Sequence, residues 1–193
     1  MEIPKARATD PSEGPNVMSA LAIGFVNDPV ARYMWPDPKT YLTMMPQFAM
    51  AYGGKSLDHA SAYTVGDYCG AALWLPPGIQ PDEEEFNPVF ESIEEKKRAE
   101  LMESLERLEE FHPPEPHWYL AIVGVDSYHQ GQGYGSLLMK HAVKRCDEDG
   151  KVAYLESTNP QNISIYERHG FEVVGEVKVG GCPVLTPMIR QPR

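Results

Sequence analysis

The apolar positions of this chain gather into blocks punctuated by Gly, Pro, Asn and Asp. Residues 6–10 (ARATD) predict a short first strand leading into a turn. Residues 17–26 (VMSALAIGFV) are apolar over a helical length, and Asn27-Asp28-Pro29 stops them. Residues 41–52 (YLTMMPQFAMAY) form a second helical patch, in which Pro46 predicts a kink or break. Residues 60–65 and 68–75 read as strands joined through the hairpin signal Gly66-Asp67. Residues 82–111 predict a long, charged helix, with Pro88 ending a first piece. Ile93, Leu101, Leu105, Leu108 and Phe111 give it a narrow apolar stripe. The plain reading is a solvated helix packed by one face; a homodimer through that stripe is the minority reading.

Further along, 117–125 predicts a strand, 131–148 a turn and helix, and 151–156 a strand. A short helix over 162–168 ends at Gly170. Strands over 171–179 and 184–190 flank the turn Gly180-Gly181. No repeat, linker or low-complexity tract divides the chain. The expectation is one domain over residues 1–193, α+β, with a mixed central sheet flanked by helices.

The sharpest local feature is VGVDSYHQGQGYGS, residues 123–136, where an apolar strand runs through a glycine turn into a helix. Such a helix start offers unpaired N–H groups and the positive end of its dipole to an anion. Gly131, Gly133 and Gly135 remove Cβ atoms that would hold a phosphate off the backbone. A Walker loop would need Gly-Lys-Ser/Thr here, and the turn has no lysine. A dinucleotide fingerprint would find its acidic residue in Glu156, but its third glycine falls at Ser136. The acyl-CoA motif Gln/Arg-x-x-Gly-x-Gly/Ala fits Gln130, Gly133 and Gly135 position for position. A glycine turn that binds nothing is the bland alternative.

The turn and the strand before it resemble the GNAT superfamily of acyl-CoA N-acyltransferases. A second signature follows about thirty residues on: YLESTNPQNISIYERHGF, residues 154–171, is similar to that family's strand, asparagine and tyrosine-bearing short helix. Ser127 departs from the proline that many members carry. HWYLAIVGVDSYHQGQGYGS, AIGFVNDPVARYMWPD, GAALWLPP and PVLTPMIRQP extend the resemblance to the puromycin N-acetyltransferase-like branch, more loosely over 41–112, where acceptor choice would be set.

The resemblance implies an N-acetyltransferase with acetyl-CoA as co-substrate. Gln130, Gly131, Gln132, Gly133, Tyr134, Gly135 and Ser136 would hold the pyrophosphate, Val123 and Val125 the pantetheine, and Asn162 would reach CoA. A backbone N–H near Val123–Gly124 would meet the thioester oxygen, with Gly124 suiting a bulge. Tyr166 would protonate the leaving thiolate. Some relatives carry a catalytic Glu where this chain has Tyr119, so Glu156 is the other carboxylate expected near the cleft, as base or as structural partner. By alternation, Tyr119, Ala121, Val123 and Val125 would share one face. Tyr33, Trp35 and Tyr119 would wall the acceptor side, and Asn159 reads as a cap. No cysteine lies in the motifs, so direct attack by the amine in a ternary complex is expected. The rivals are peptide or protein N-acetylation and a non-catalytic acyl-CoA sensor.

Composition changes this picture little. At 193 residues the chain can bury a full core. A net charge of −11 argues against nucleic acid and is mildly compatible with a cationic acceptor. No apolar run has membrane-span length, and the start MEIPKARATD has no secretory h-region. Cys69, Cys146 and Cys182 are odd in number and scattered, which predicts free thiols in a cytoplasmic protein. His112 and His117 flank PPEP and read as a turn; no metal site is expected.

Overall fold

A computed structural model describes residues 4–193. Seven strands form one sheet in the order β1 (Ala6–Ala8), β2 (Ala62–Val65), β3 (Gly70–Leu75), β4 (Trp118–Val125), β5 (Ala153–Ser157), β7 (Thr186–Arg190) and β6 (Glu172–Val173). Every pairing is antiparallel except β4–β5. The expected mixed α+β sheet is therefore present.

Five helices cover one face: α1 (Gly14–Gly24), α2 (Pro29–Met34), α3 (Pro38–Gly53), α4 (Glu83–Glu91) and α5 (Glu95–Leu108). Their buried residues, among them Leu21, Met34, Met45, Val89 and Leu101, meet Leu73 and Ile122 of the sheet. The other face is covered by α6 (Tyr134–Glu148) and α7 (Ile163–Arg168), whose Leu138, Met139 and Tyr166 pack on Trp74, Leu120 and Leu155. Asp side chains cap α2, α3 and α4: Asp28 accepts from Val30 and Ala31, Asp37 from Thr40, and Asp82 from Glu85.

Three local expectations are corrected. Pro46 lies inside α3 without breaking it. Pro88 lies inside α4, and the charged segment breaks instead at residues 92–94. The stripe on that segment packs by one face as expected, with Ile93, Leu101 and Leu108 buried and Leu105 and Phe111 packed beside them. The strand expected over 171–179 shrinks to Glu172–Val173 and one bridge, Val177 to Leu185. Gly175 explains the departure. A Cβ there would lie 2.3 Å from the Phe111 ring, so the chain leaves the sheet to cover that side chain.

The fourth correction bears on the site. The pairing of β3 with β4 slips between Leu73 and Trp74, so that Leu73 faces Ile122 while Trp74 faces Leu120, and Ala121 is the extra residue. A bulge inverts the alternation beyond it. Leu120, Val123 and Val125 face α6 and α7, whereas Tyr119 and Ile122 belong to the opposite face, so Tyr119 and Val123 do not share one. Gly124 is not the bulge. A Cβ there would sit 3.1 Å from the Phe25 ring, and one on Gly24 would sit 2.9 Å from Val125 N. These two glycines let the end of α1 abut β4.

Candidate active site

The parallel pair opens at its middle. β4 and β5 are in register only over Trp118–Leu120 and Ala153–Leu155. The Val125 carbonyl accepts a hydrogen bond from Gln130 Nε2 (3.1 Å), so it faces the opening and not β3. The two-residue period turns the Val123 backbone the same way.

On one side of the opening lies a cleft of about 570 Å³. Val123–Val125, Gln130, Gly131, Gly133–Ser136, Asn159, Asn162, Tyr166 and Arg168 line it. Gly131 (φ +75°) and Gly133 (φ +86°) have left-handed backbone, and an added Cβ would meet nothing at either. Their role is conformational, and the space beside them is open. Gly135 differs from the expectation, since a Cβ there would press on Ile165 at 3.1 Å. It serves the approach of α6 to α7. Gly133 is the N-cap of α6 and supplies no side-chain cap. The first N–H groups of α6 thus line the cleft with the positive dipole end, which suits a phosphate. Asn159 caps the turn at residues 160–162 through Gln161 N (3.0 Å). Asn162 makes no side-chain cap. Gln132 does not line the cleft; its Nε2 donates to the Tyr128 carbonyl (3.2 Å) and braces the turn.

On the other side lies a cavity of about 600 Å³. Its polar end is built around Glu156, whose side chain is 9% exposed. Tyr119 donates its hydroxyl to Glu156 Oε2 (2.5 Å), and Tyr52 reaches the same oxygen (3.3 Å) while hydrogen-bonded to Tyr119. His112 Nε2 lies 3.1 Å from Oε1, with its ring against Tyr154 (centroids 4.2 Å apart). Burial, then the Glu156 charge, holds the Tyr52 and Tyr119 hydroxyls well above their usual pKa, so both stay protonated. Most of the rest of the wall is apolar: Met34 of α2, Phe48 of α3, Phe86 and Phe90 of α4, and Leu101, Leu105 and Leu108 of α5. Glu109 and Glu156 are its only charged lining residues among those described, His112 aside.

Phe25, Val123, Asn162 and Tyr166 line both spaces, so the two meet at the opening. Tyr166 is 7% exposed and packs edge-on to Phe171. Burial, then the nearby Asp28 carboxylate, raises its pKa above 10. Asp28 is itself buried; it caps α2 and accepts from Thr158 Oγ1 (2.6 Å), tying that helix to the end of β5. Burial raises its pKa.

Of the three expected acceptor residues, only Tyr119 lines the cavity. Trp35 is 1% exposed; its Nε1 donates to Ser92 Oγ (2.9 Å) and its ring meets Phe48 edge-on. Tyr33 hydrogen-bonds Glu100 on α5. Both belong to packing because α2 presents Val30 and Met34 to the cavity instead. Sequence reasoning missed His112, read as a turn residue, and Tyr52, placed only in a helical patch. Nothing local connects either to Glu156, which lies 44 and 104 residues away.

Residues 89–171 match the model of the Acetyltransferase (GNAT) family. An uncharacterized N-acetyltransferase of Schizosaccharomyces pombe is 24% identical over 189 residues, covering 86% of this chain and 73% of that protein. Among solved structures, a histone acetyltransferase HPA2 and related acetyltransferase from Corynebacterium glutamicum superposes with a TM-score of 0.71. It is 24% identical and covers 100% of this chain and 98% of its own. Arylalkylamine N-acetyltransferase 2 from Aedes aegypti gives the same TM-score at 14% identity, with both chains covered in full. The fold is that of a GNAT domain. The match over residues 89–171 and the N-acetyltransferase relative support an acyltransferase enzyme.

Proposed function

We propose that this enzyme moves an acetyl group from acetyl-CoA to the primary amine of a small, largely apolar molecule, with both substrates bound at once. The observation that carries this reading is the meeting of two spaces at Tyr166 and Val123, one suited to a phosphorylated donor, the other apolar with a buried carboxylate. The α6 N-terminus and the turn at residues 130–136 would hold the pyrophosphate, and the free edge at Val123 and Val125 would pair with the pantetheine amides.

The amine arrives as an ammonium ion and must lose a proton to attack. Tyr119 can take that proton as it passes its own to Glu156, and Tyr52 and His112 hold the carboxylate in place. The Val123 backbone N–H would meet the oxygen of the thioester as it gains charge. Tyr166, kept protonated by burial, would give its hydroxyl proton to the leaving sulfur. One acetyl group moves, CoA leaves as the thiol, and one proton goes to solvent.

Several features refine the acceptor. No lysine or arginine lines the cavity among the described residues, so a carboxylate on the acceptor would be unpaired there. The two carboxylates favour a cation, and the phenylalanines and leucines favour an apolar body. Walls from α4 and α5 favour a small molecule over a peptide. The puromycin N-acetyltransferase-like branch is supported by the motifs quoted above. Three free cysteines, two of them buried, support a reducing compartment such as the cytoplasm.

A panel of amines with acetyl-CoA, read by mass spectrometry, tests the reading. Apolar primary amines should be acetylated faster than amino acids or peptides of similar size. Preference for peptides or for carboxylated amines would overturn it.

A further inference from the structure

Ser136, the last residue of the donor turn, pairs with His169, which the chemistry above does not use. Ser136 stands in the first turn of α6 and lines the donor cleft. Its Oγ lies 2.9 Å from Nε2 of His169, the residue just after α7. A serine hydroxyl has one proton to place. If Nε2 is bare, that proton goes to the ring and only lone pairs face the cleft, which is the wrong polarity for a phosphate. If Nε2 carries a proton, the ring donates to Oγ and the hydroxyl proton is free for an anion.

We propose that His169 is a positioning residue for the donor: its Nε2 proton turns the Ser136 hydroxyl toward a phosphate in the cleft, and the imidazolium form binds that anion most tightly. The inference rests on the donor reading given above.

The surroundings of His169 fix the sign. Lys140 faces it from α6, and Arg168, which also lines the cleft, from α7. Arg190 of β7 donates from Nε to the His169 carbonyl (2.8 Å), while its other nitrogens bind Asp147 at 2.7 and 2.8 Å. Asp147 also accepts from the Arg193 backbone N–H, and the Arg193 guanidinium lies beside Gly170. Asp147 is thus engaged by two arginines, and the Lys140 and Arg168 charges add to theirs. Burial first, then Arg168, Arg190 and Lys140, lowers the His169 pKa below its ordinary 6.5. The ring of the free protein is therefore neutral at pH 7. A phosphate in the cleft stabilises the imidazolium and raises that value. Donor affinity should be highest below the free-state value and fall as pH rises through the bound-state value.

The test is calorimetric titration of the full chain with CoA, and separately with acetyl-pantetheine, which lacks phosphates, between pH 5.5 and 8. The wild-type Kd for CoA should rise about three- to ten-fold more across that range than the Kd of His169→Gln, the scale of one charge-assisted hydrogen bond. Ser136→Ala should flatten the profile as much, and the double variant should bind no more weakly than His169→Gln alone. Acetyl-pantetheine should show no difference between wild type and variants. Parallel CoA profiles for wild type and both single variants, or an equal pH effect on acetyl-pantetheine, would overturn the proposal. Wild type that binds no CoA at any pH would overturn the donor reading itself, and this inference with it.

Discussion

The two spaces that meet at Tyr166 are built in opposite ways. The proposed donor cleft is made chiefly of backbone: one free strand edge, one glycine turn and one helix start, contiguous over residues 123–136. The proposed acceptor cavity is made of side chains, drawn from α2, α3, α4, α5, β4, β5 and the His112 loop. A backbone site can be shared by many chains of one fold, whereas a side-chain site belongs to one substrate. Changes in the cleft should move donor affinity, and changes in the cavity should move acceptor kinetics.

The largest effect should come from Glu156→Gln, which keeps the shape but removes the proton acceptor. We expect kcat/KM for the amine to fall by about 10³-fold while acetyl-CoA affinity stays within two-fold. Stopped assays paired with calorimetry would show it; equal loss of donor affinity would mean that Glu156 serves the cleft. Tyr166→Phe follows, with kcat lowered by on the order of 10²-fold and both affinities kept. Since burial lifts the Tyr166 pKa, wild type should lose no activity from its ionisation up to pH 9. A loss of kcat below that pH that the Phe variant abolishes would count against the protonated role.

Gly133→Val forces a β-branched residue to φ +86°, a strain of about 1–2 kcal/mol. It should weaken acetyl-CoA binding by about ten-fold and leave the amine KM alone, with the fold checked by circular dichroism. Phe86→Ala should do the converse, raising the KM of an apolar amine by about five-fold. Tyr33→Phe should be smallest: less than two-fold on either KM, because its hydroxyl reaches Glu100 and not the cavity. A marked rise in amine KM would return Tyr33 to the acceptor wall.

The same contrast decides what could be read from sequence. The order of strands and helices was legible because hydrophobic period and turn residues are local signals. So was the glycine turn over residues 130–136 as a strand-to-helix connection, because its spacing along the chain is its geometry. Gly135 shows the limit of that logic: its motif position was legible, but its contact with Ile165 was not. The bulge at Ala121 was hidden because one extra residue in an apolar strand leaves the composition unchanged, yet it reverses which side chains face each side. The acceptor cavity was least legible. Tyr33 and Trp35 are aromatic and near in sequence, but helix phase sends them to packing, while His112 and Tyr52 arrive from distant segments. The stripe Leu101, Leu105 and Leu108 was visible as a buried face, and only the fold reveals that part of what it faces is empty space.

The central claim is that donor and acceptor occupy the two spaces together and react across the opening at Tyr166. Initial velocities measured over a grid of acetyl-CoA and amine concentrations test it most directly. Double-reciprocal lines that converge to the left of the axis are the predicted result, since a ternary complex must form before any product leaves. Parallel lines, together with an acetylated protein seen by intact mass after exposure to acetyl-CoA alone, would contradict the account.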